Sequence, residues 1–330
     1  MRVAIIYNEP GPSAAELDVL VQRDAVHATL AALGHECQPI ACTLNLSLVI
    51  EQIRDFSPDV VFNLVESLDA TDRLAVLVPM LLDANHIAYT GTRARAMLDT
   101  SDKVLVKQRL KALGLPTPAW YAQDTGSVLG PCTFIIKARY EHASVGLDDS
   151  AVVTVNSGDE LAEIIRTRAA QFNVEMFAEQ FIAGREFNLS VMATNEGGCQ
   201  TLAPAEIDFS GFPDGKPQIV NFDAKWTETT FEYSATPRCF YFPKEDDALL
   251  LELARLTRVV WQEFDLKGYA RVDYRVDEAG QPFILEINTN PCLSPDAGFV
   301  AAVQQSGSTF AAAIATIVEA GAHHLRPDQN

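Results

Sequence analysis

Near its C-terminal end the sequence carries Asp273, Glu286 and Asn288, which supply two carboxylates and an amide oxygen, and Arg271, a guanidinium two residues before Asp273. Hard divalent cations prefer such oxygen donors and keep waters for a phosphate-bearing ligand, so this set reads as a magnesium site, with manganese able to stand in. A guanidinium beside it suits an oxyanion or a transferring phosphoryl group. The plainer alternative is an exposed hairpin with a solvated ion pair.

What must position these groups is a hairpin. The β-rich runs 272–276 and 283–287 flank Asp277-Glu278-Ala279-Gly280, which is turn chemistry. A tight turn brings Asp273 toward Glu286 and Asn288, and residues two apart on a strand share a face.

The 330 residues are enough for two or three modules, and 48% hydrophobic with 21% charged content is that of a globular protein. A formal net charge of −19 argues against nucleic-acid partners and against docking on anionic membranes, while leaving room for small anionic ligands at local basic residues. Cys37, Cys42, Cys132, Cys199, Cys239 and Cys292 show no CxxC pair, which favours free thiols in a reducing cytoplasm. No apolar run approaches a signal peptide or a membrane span, and the polar end from His323 reads as a frayed tail.

Alternating strands and helices through residue 92 predict a parallel α/β sheet: strands over 2–7, 36–40 and 60–64, helices over 14–33 and 71–84 and before Pro58, and a last strand at Ile87–Gly91. Leu17, Leu20, Val21, Ala28 and Leu33 are read as the apolar side of the first helix. The dinucleotide fingerprint G-x-G-x-x-G is absent after the first strand. A helix over 102–113, closed by Gly114, leads to a smaller α+β module over 93–184, with strands at 133–138, 151–155 and 174–182 and a capping box at Ser157–Glu160. Residues 185–330 form a third module of antiparallel strand signals, among them 216–222, with a long helix over 246–264 and two closing helices at 296–305 and 309–321.

Within that frame Lys137 ends a buried strand beside a small-residue loop holding Ser144 and Gly146, where an ammonium and backbone donors could meet phosphates. Glu179 and Glu186 bracket a strand-to-loop junction at Ile182, suited to an adenine amino group, ribose hydroxyls and a base edge. Lys103 and Lys225 are further candidate phosphate contacts. Singly, each is more simply a solvated surface charge.

Together these segments resemble the ATP-grasp superfamily, most closely its D-alanine-D-alanine ligase-like branch, over nearly the whole chain. AYTGTRARAMLDTSDK resembles the junction ending in a phosphate lysine (Lys103), FIIKARYEHASVG the second lysine strand and ATP-covering loop (Lys137, Ser144), and AEQFIAGREF the adenine and ribose segment (Glu179, Ile182, Glu186). FDAKW resembles the segment of a third phosphate lysine (Lys225). GYARVD and LEINTNP resemble the oxyanion arginine (Arg271) and the metal ligands (Asp273, Glu286, Asn288).

The resemblance implies an ATP-grasp fold in three modules: an N-terminal parallel α/β domain (1–92), a small central α+β domain (93–184) and a C-terminal mixed-sheet domain (185–330). It also implies ATP with two Mg²⁺ ions, a carbon-nitrogen ligase working through an acyl phosphate, a lid over 139–146, small carboxylate and amine substrates, and homodimers.

The chain departs from the family at its amino-acid end. Ala143 replaces the first serine of a Gly-Ser-Ser-Val-Gly loop, and Trp226 replaces a tyrosine. Phe62-Asn63-Leu64-Val65-Glu66 replaces a histidine and glycine-rich acidic loop, and Cys292 replaces the glycine of a Pro-Gly pair. Substrates other than two D-alanines are therefore expected, with Glu9, Glu66, His142, Trp226 and Asp296 as candidates for the altered pocket. A divergent D-alanine-D-alanine ligase, a non-catalytic ATP-binding regulator on the same scaffold, and a kinase or carboxylate-thiol ligase are the competing readings.

Overall fold

Strand β1 (Arg2–Asn8) is apolar from Val3 to Ile6, as a strand covered on both faces must be, and it lies parallel between β2 (Glu36–Cys42) and β3 (Val60–Asn63). The computed structural model describes residues 1–121, 129–194 and 196–323. Alternation along β1 sends Ala4 and Ile6 to one face, with Val49 and Ile53 of helix Leu46–Phe56 and Leu82 of helix Leu77–Ala84. Val3 and Ile5 meet Val19, Val26 and Leu30 of helix Ala14–Ala32 on the other.

Three expectations change in this module. The buried side of the first helix is Val19, Gln22, Val26 and Leu30, while Leu17, Val21 and Leu33 are exposed. That helix carries two apolar stripes, and the one in register with Val3 and Ile5 is buried. The predicted helix 71–84 is divided into a 3₁₀ turn at Asp72–Leu74 and helix Leu77–Ala84. The predicted strand at 87–91 is reduced to a single parallel bridge from Tyr89 to Val61.

The central sheet is antiparallel. Strands β4 (Trp120–Tyr121), β5 (Leu129–Ala138), β6 (Val152–Ser157) and β7 (Met176–Gln180) stand in the order β4-β7-β5-β6, covered by helix Gly158–Phe172. Ser157 Oγ caps that helix by accepting from the Glu160 N–H at 3.2 Å, but the Glu160 carboxylate accepts from Asn156 N at 2.9 Å, so the box closes one residue early.

The third sheet holds β8 (Arg185–Ala193), β9 (Cys199–Thr201), β10 (Ala205–Ile207), β11 (Arg238–Cys239), β12 (Tyr269–Val276) and β13 (Pro282–Asn288) in the order β11-β10-β8-β12-β13, with β9 also on β8. Expected to be mixed, it is antiparallel at every pairing among the described residues: short turns reverse the chain between β8 and β9 and between β12 and β13, and the longer connections return β11 and β12 antiparallel to β10 and β8 as well. The strand signal at 216–222 forms no strand: Lys216 and Ile219 donate to Pro213 and Pro217 carbonyls in turns, and Pro217 has no N–H to pair. Helix Asp247–Glu263 buries Leu253, Leu256, Val260 and Trp261 on this sheet, at the predicted spacing.

Two groups of helices cross the sequence divisions. Ala96, Val106 and Leu110, on helices Ala94–Ser101 and Lys103–Ala112, join the core of the third sheet. Phe299 of helix Gly298–Gln305, with Ile314 and Ile317 of helix Phe310–His323, packs with Val3, Ile5 and Phe62 of the first sheet. The first and third sheets are thereby held together. The end of the chain from His324, read as a tail, lies outside the described residues. All six cysteines are free, and among the described residues no helix is long and apolar enough to cross a membrane.

Ile314 is fully buried on the first sheet although it lies far away in sequence. Ile314→Ala should therefore cost about 3 kcal/mol, read as a lower midpoint in urea denaturation followed by circular dichroism. An unchanged midpoint would mean that the closing helix does not cover this sheet.

Candidate active site

The predicted hairpin is β12 and β13. Its turn is fixed by Asp277, whose Oδ1 accepts from Ala279 N (3.0 Å) and Gln281 N (2.8 Å), and by Gly280 at φ +80°, a left-handed conformation that glycine adopts without strain. Asp273 pairs with Glu286 and Arg271 with Asn288. Pairing then steps to Tyr274 with Ile284, so Leu285 is an extra residue, a β-bulge. The bulge places Ile284 and Ile287 in the core while Leu285, Glu286 and Asn288 line a cleft.

That cleft has a volume of about 810 Å³ and is walled by all three sheets. Lys103, Lys137, Ser144, Glu179, Ile182, Glu186, Lys225, Arg271, Asp273, Glu286 and Asn288 all line it, as do Glu66, His142, Trp226 and Asp296. Glu9 does not. The pairing of β1 with β2 runs on through Glu9 N to Cys42 O (2.9 Å), and the side chain is exposed outside the cleft, so Glu9 is withdrawn as a pocket residue.

The two hairpin carboxylates that line the cleft are each held by a cation. Arg271 donates Nε to Asp273 Oδ1 (2.7 Å) and Nη2 to Oδ2 (2.8 Å), and Asn188 Nδ2 adds a 2.8 Å bond to Oδ1. This fork raises the Arg271 pKa further, against its burial. Glu286 contacts His142 Nδ1 and lies 3.9 Å from Lys103 Nζ. Burial alone would raise the Glu286 carboxyl, but the Lys103 and His142 charges hold it well below the usual carboxylate range.

Asn288 Oδ1 accepts from Asn290 N at 3.0 Å. Among the described residues no three acidic, histidine or cysteine side chains form a metal cluster. The two carboxylates and the amide oxygen on one cleft face are nonetheless a donor set of the chemistry a hard cation takes, so the residues fit one.

The lysines meet at a second buried carboxylate. Glu179, placed by sequence at an adenine, is 1% exposed, with Lys137 Nζ on Oε1 and Lys107 Nζ 2.5 Å from Oε2. Oε2 receives no aligned hydrogen bond, so that contact is an ion pair. Burial raises the Glu179 pKa, and the two ammonium charges outweigh it and lower it. The carboxylate is thus engaged rather than free to accept from a base. Glu186 stands 3.7 Å from Arg275 Nε, its pKa raised by burial and only partly restored by that charge. Lys225 donates to His142 O at 3.3 Å, and burial with the nearby Arg271 lowers its pKa.

Residues 139–146 cover the cleft. Glu141 accepts from Thr71 Oγ1 (3.0 Å) and Asp72 N (3.2 Å), and Asp72 Oδ2 accepts from His142 N (2.7 Å). Lys103 Nζ donates to Glu141 O (2.6 Å), and Trp226 Nε1 donates to Ala143 O (3.1 Å). Ser144 sits at φ +58° with Oγ on Val220 O (3.2 Å). Gly146 sits at φ +68°, a left-handed conformation that strains any other residue, and a Cβ there would crowd the Phe172 ring at 3.0 Å.

Sequence reasoning missed Lys107, Asp72, Arg238 and Arg275. For Lys107 a signal existed, since it lies one helical turn after Lys103 and so shares its face. Arg238 lines the cleft, and its pKa is lowered by burial and by Arg271. Nothing local in the sequence marks the other two.

Three sheets arranged around such a cleft make an ATP-grasp fold, and solved structures of that fold superpose along the whole chain. A D-alanine--D-alanine ligase from Bacillus anthracis, complexed with ATP, matches with a TM-score of 0.72 and 19% identity, covering 98% of each chain. Residues 114–319 match the family described as D-ala D-ala ligase C-terminus, and the chain belongs to that family. Among its relatives are a D-alanine--D-alanine ligase of Erythrobacter litoralis, 30% identical over 84% of this chain and 81% of that one. An uncharacterised protein of Sinorhizobium fredii is 26% identical over 90% of this chain and 86% of that one.

At the other end of the cleft, Gln22 Nε2 donates to both Glu66 Oε1 (2.8 Å) and Asp18 Oδ2 (3.1 Å). Burial, with Asp72 and Asp18 nearby, pushes the Glu66 carboxyl up to about 8 despite the Gln22 bond. A carboxyl whose folded pKa exceeds its unfolded value favours folding below the unfolded value, and that contribution is lost as pH rises through the folded one. Glu66→Gln should remove this loss. The melting temperature of the variant relative to the parent should climb from pH 4.5 to about 8, and a flat difference in scanning calorimetry would refute the assignment.

Proposed function

We propose that this protein is an ATP-dependent ligase joining a carboxylate to an amine through an acyl phosphate, with release of ADP and phosphate. The observation that carries this reading is the convergence of Lys103, Lys137 and Lys225 with Arg271, Asp273, Glu286 and Asn288 on one cleft. The names of its relatives support the same class.

In this reading the substrate carboxylate attacks the γ-phosphate of ATP, whose charge Lys103, Lys137 and Lys225 balance. Glu186 and the backbone at Ile182 bind the nucleoside, while Glu179 holds Lys137. Asp273, Glu286 and Asn288 would hold magnesium, which when bound neutralises charge on the transferring group. Arg271, which lines the cleft beside Asp273, would face the oxyanion formed when the amine attacks the acyl carbon and the phosphate leaves. Residues 139–146 keep water away from the acyl phosphate.

We place the substrates outside the pair of D-alanines. Ala143 has no hydroxyl to offer, Trp226 spends its indole N–H on Ala143 O, and Glu66, Asp18 and Cys292 form a wall with acidic and thiol groups. We further read 1–92, 93–184 and 185–330 as the working modules, with the central one closing over the cleft.

The test is phosphate release from ATP and Mg²⁺ with L- and D-amino acids and small carboxylates, singly and in pairs. Release that requires one pair establishes the ligase and names its substrates; D-alanine as both partners would restore the family's own reaction. ATP binding without release by any pair would favour a binding protein. Glu286→Gln should cut turnover about 10²-fold or more, assayed well below the melting temperature, which the loss of the partner of Lys103 and His142 should itself lower. Near-normal turnover would remove Glu286 from the site.

A further inference from the structure

Lys107 does not line the cleft, yet it is a lysine with no exposed surface, a placement that costs heavily unless the charge is matched. Its Nζ lies 2.5 Å from Glu179 Oε2 and donates to Thr117 Oγ1 at 3.1 Å, and Thr117 Oγ1 in turn donates to Ile284 O at 2.8 Å. The ammonium is therefore tied both to the carboxylate under the cleft and to β13, beside the bulge that presents Glu286.

On the far side of Glu179 stands Lys137, whose side chain lines the cleft. Two ammonium groups around one carboxylate leave this buried trio with a net positive charge. A hydrophobic pocket or a plain pair would not need the third member, because a single lysine already neutralises a glutamate.

We propose that Lys107 is a positioning residue: by occupying one oxygen of Glu179 it limits Lys137 to the other, and so keeps the Lys137 ammonium presented to the cleft with a surplus charge for an anionic phosphate. This rests on the nucleotide reading given above. Without Lys107, Glu179 can turn both oxygens on Lys137, and the pair becomes neutral and withdraws from the cleft. Arginine at the same place keeps the charge and can still reach Glu179.

The experiment uses the full chain as wild type, Lys107→Met and Lys107→Arg. Acetylation of Lys137 by acetic anhydride is followed by mass spectrometry, and binding of a non-hydrolysable ATP analogue by calorimetry. Lys107→Met should slow Lys137 acetylation at least threefold at pH 9 and weaken analogue binding at least tenfold, with both within threefold of wild type in Lys107→Arg. Should Lys107→Met lower the melting temperature while leaving Lys137 acetylation unchanged, Lys107 is only a structural ion pair and the proposal is overturned. Failure of wild type to bind the analogue would instead remove the nucleotide reading, with the acetylation result still deciding what Lys107 does to Lys137. If neither variant folds, the melting curve will show it, and Thr117→Val, which removes only the hydroxyl that tethers Lys107, takes their place with the same expected direction.

Discussion

The register of β12 against β13 is the constraint on which the site depends. A strand changes face at every residue, so a slip of one position would bury Glu286 and Asn288 and turn Ile287 into the cleft. The turn at Asp277–Gly280 fixes one end of the register, and the bulge at Leu285 corrects the alternation so that apolar Ile284 and Ile287 both reach the core. Burial of Val272, Tyr274, Ile284 and Ile287 beneath helix Asp247–Glu263 then makes any other register costly. The chemistry of Arg271, Asp273, Glu286 and Asn288 is in this sense set by the hydrophobic residues between them.

A second constraint follows from placing so many charges in one cleft. Buried carboxylates stay ionised only beside cations, and four at this end of the cleft have one: Asp273 has Arg271, Glu286 has Lys103, Glu179 has Lys107 and Lys137, and Glu186 has Arg275. These pairs connect the modules. Lys103 comes from a helix packed on the third sheet, His142 from the loop over the cleft, and that loop is tied through Glu141 and Asp72 to the turn after the first sheet. A ligand bringing phosphates and a cation would exchange partners within this network rather than create charge in a dry site, which lowers the cost of binding.

Much of the fold was legible because its signals are local. Val3 to Ile6 announce a strand covered on both faces, the spacing of Leu253, Leu256, Val260 and Trp261 announces a helix face, and Asp277–Gly280 announces a turn that puts Asp273 opposite Glu286. What failed depended on distant partners. The apolar stripe of the first helix was chosen by Val3 and Ile5 and not by the helix itself, and 216–222 reads as a strand until Pro217 is denied a neighbour. Glu179 could not be told from a free acceptor without knowing that Lys107 lies behind it. Glu9 falls outside the cleft because its backbone continues the pairing of β1 with β2 at Cys42 and its side chain is exposed there.

The two ends of the cleft solve their charge problem in opposite ways. Around Glu179 and Glu286, cations match or outnumber carboxylates, so an anionic ligand improves the balance. Around Glu66 and Asp18 the donors are neutral: Gln22 serves both, and Cys292 Sγ (3.0 Å) and Ser294 Oγ (2.7 Å) serve Asp18. Among the described residues no ion pair reaches either carboxylate. That difference is why Glu66 leaves the ordinary carboxylate range while Glu286 stays below it, though both are buried. The departures at Glu66 and Cys292 fall on this second end, whereas those at Ala143 and Trp226 stand beside His142 and Lys225 at the first.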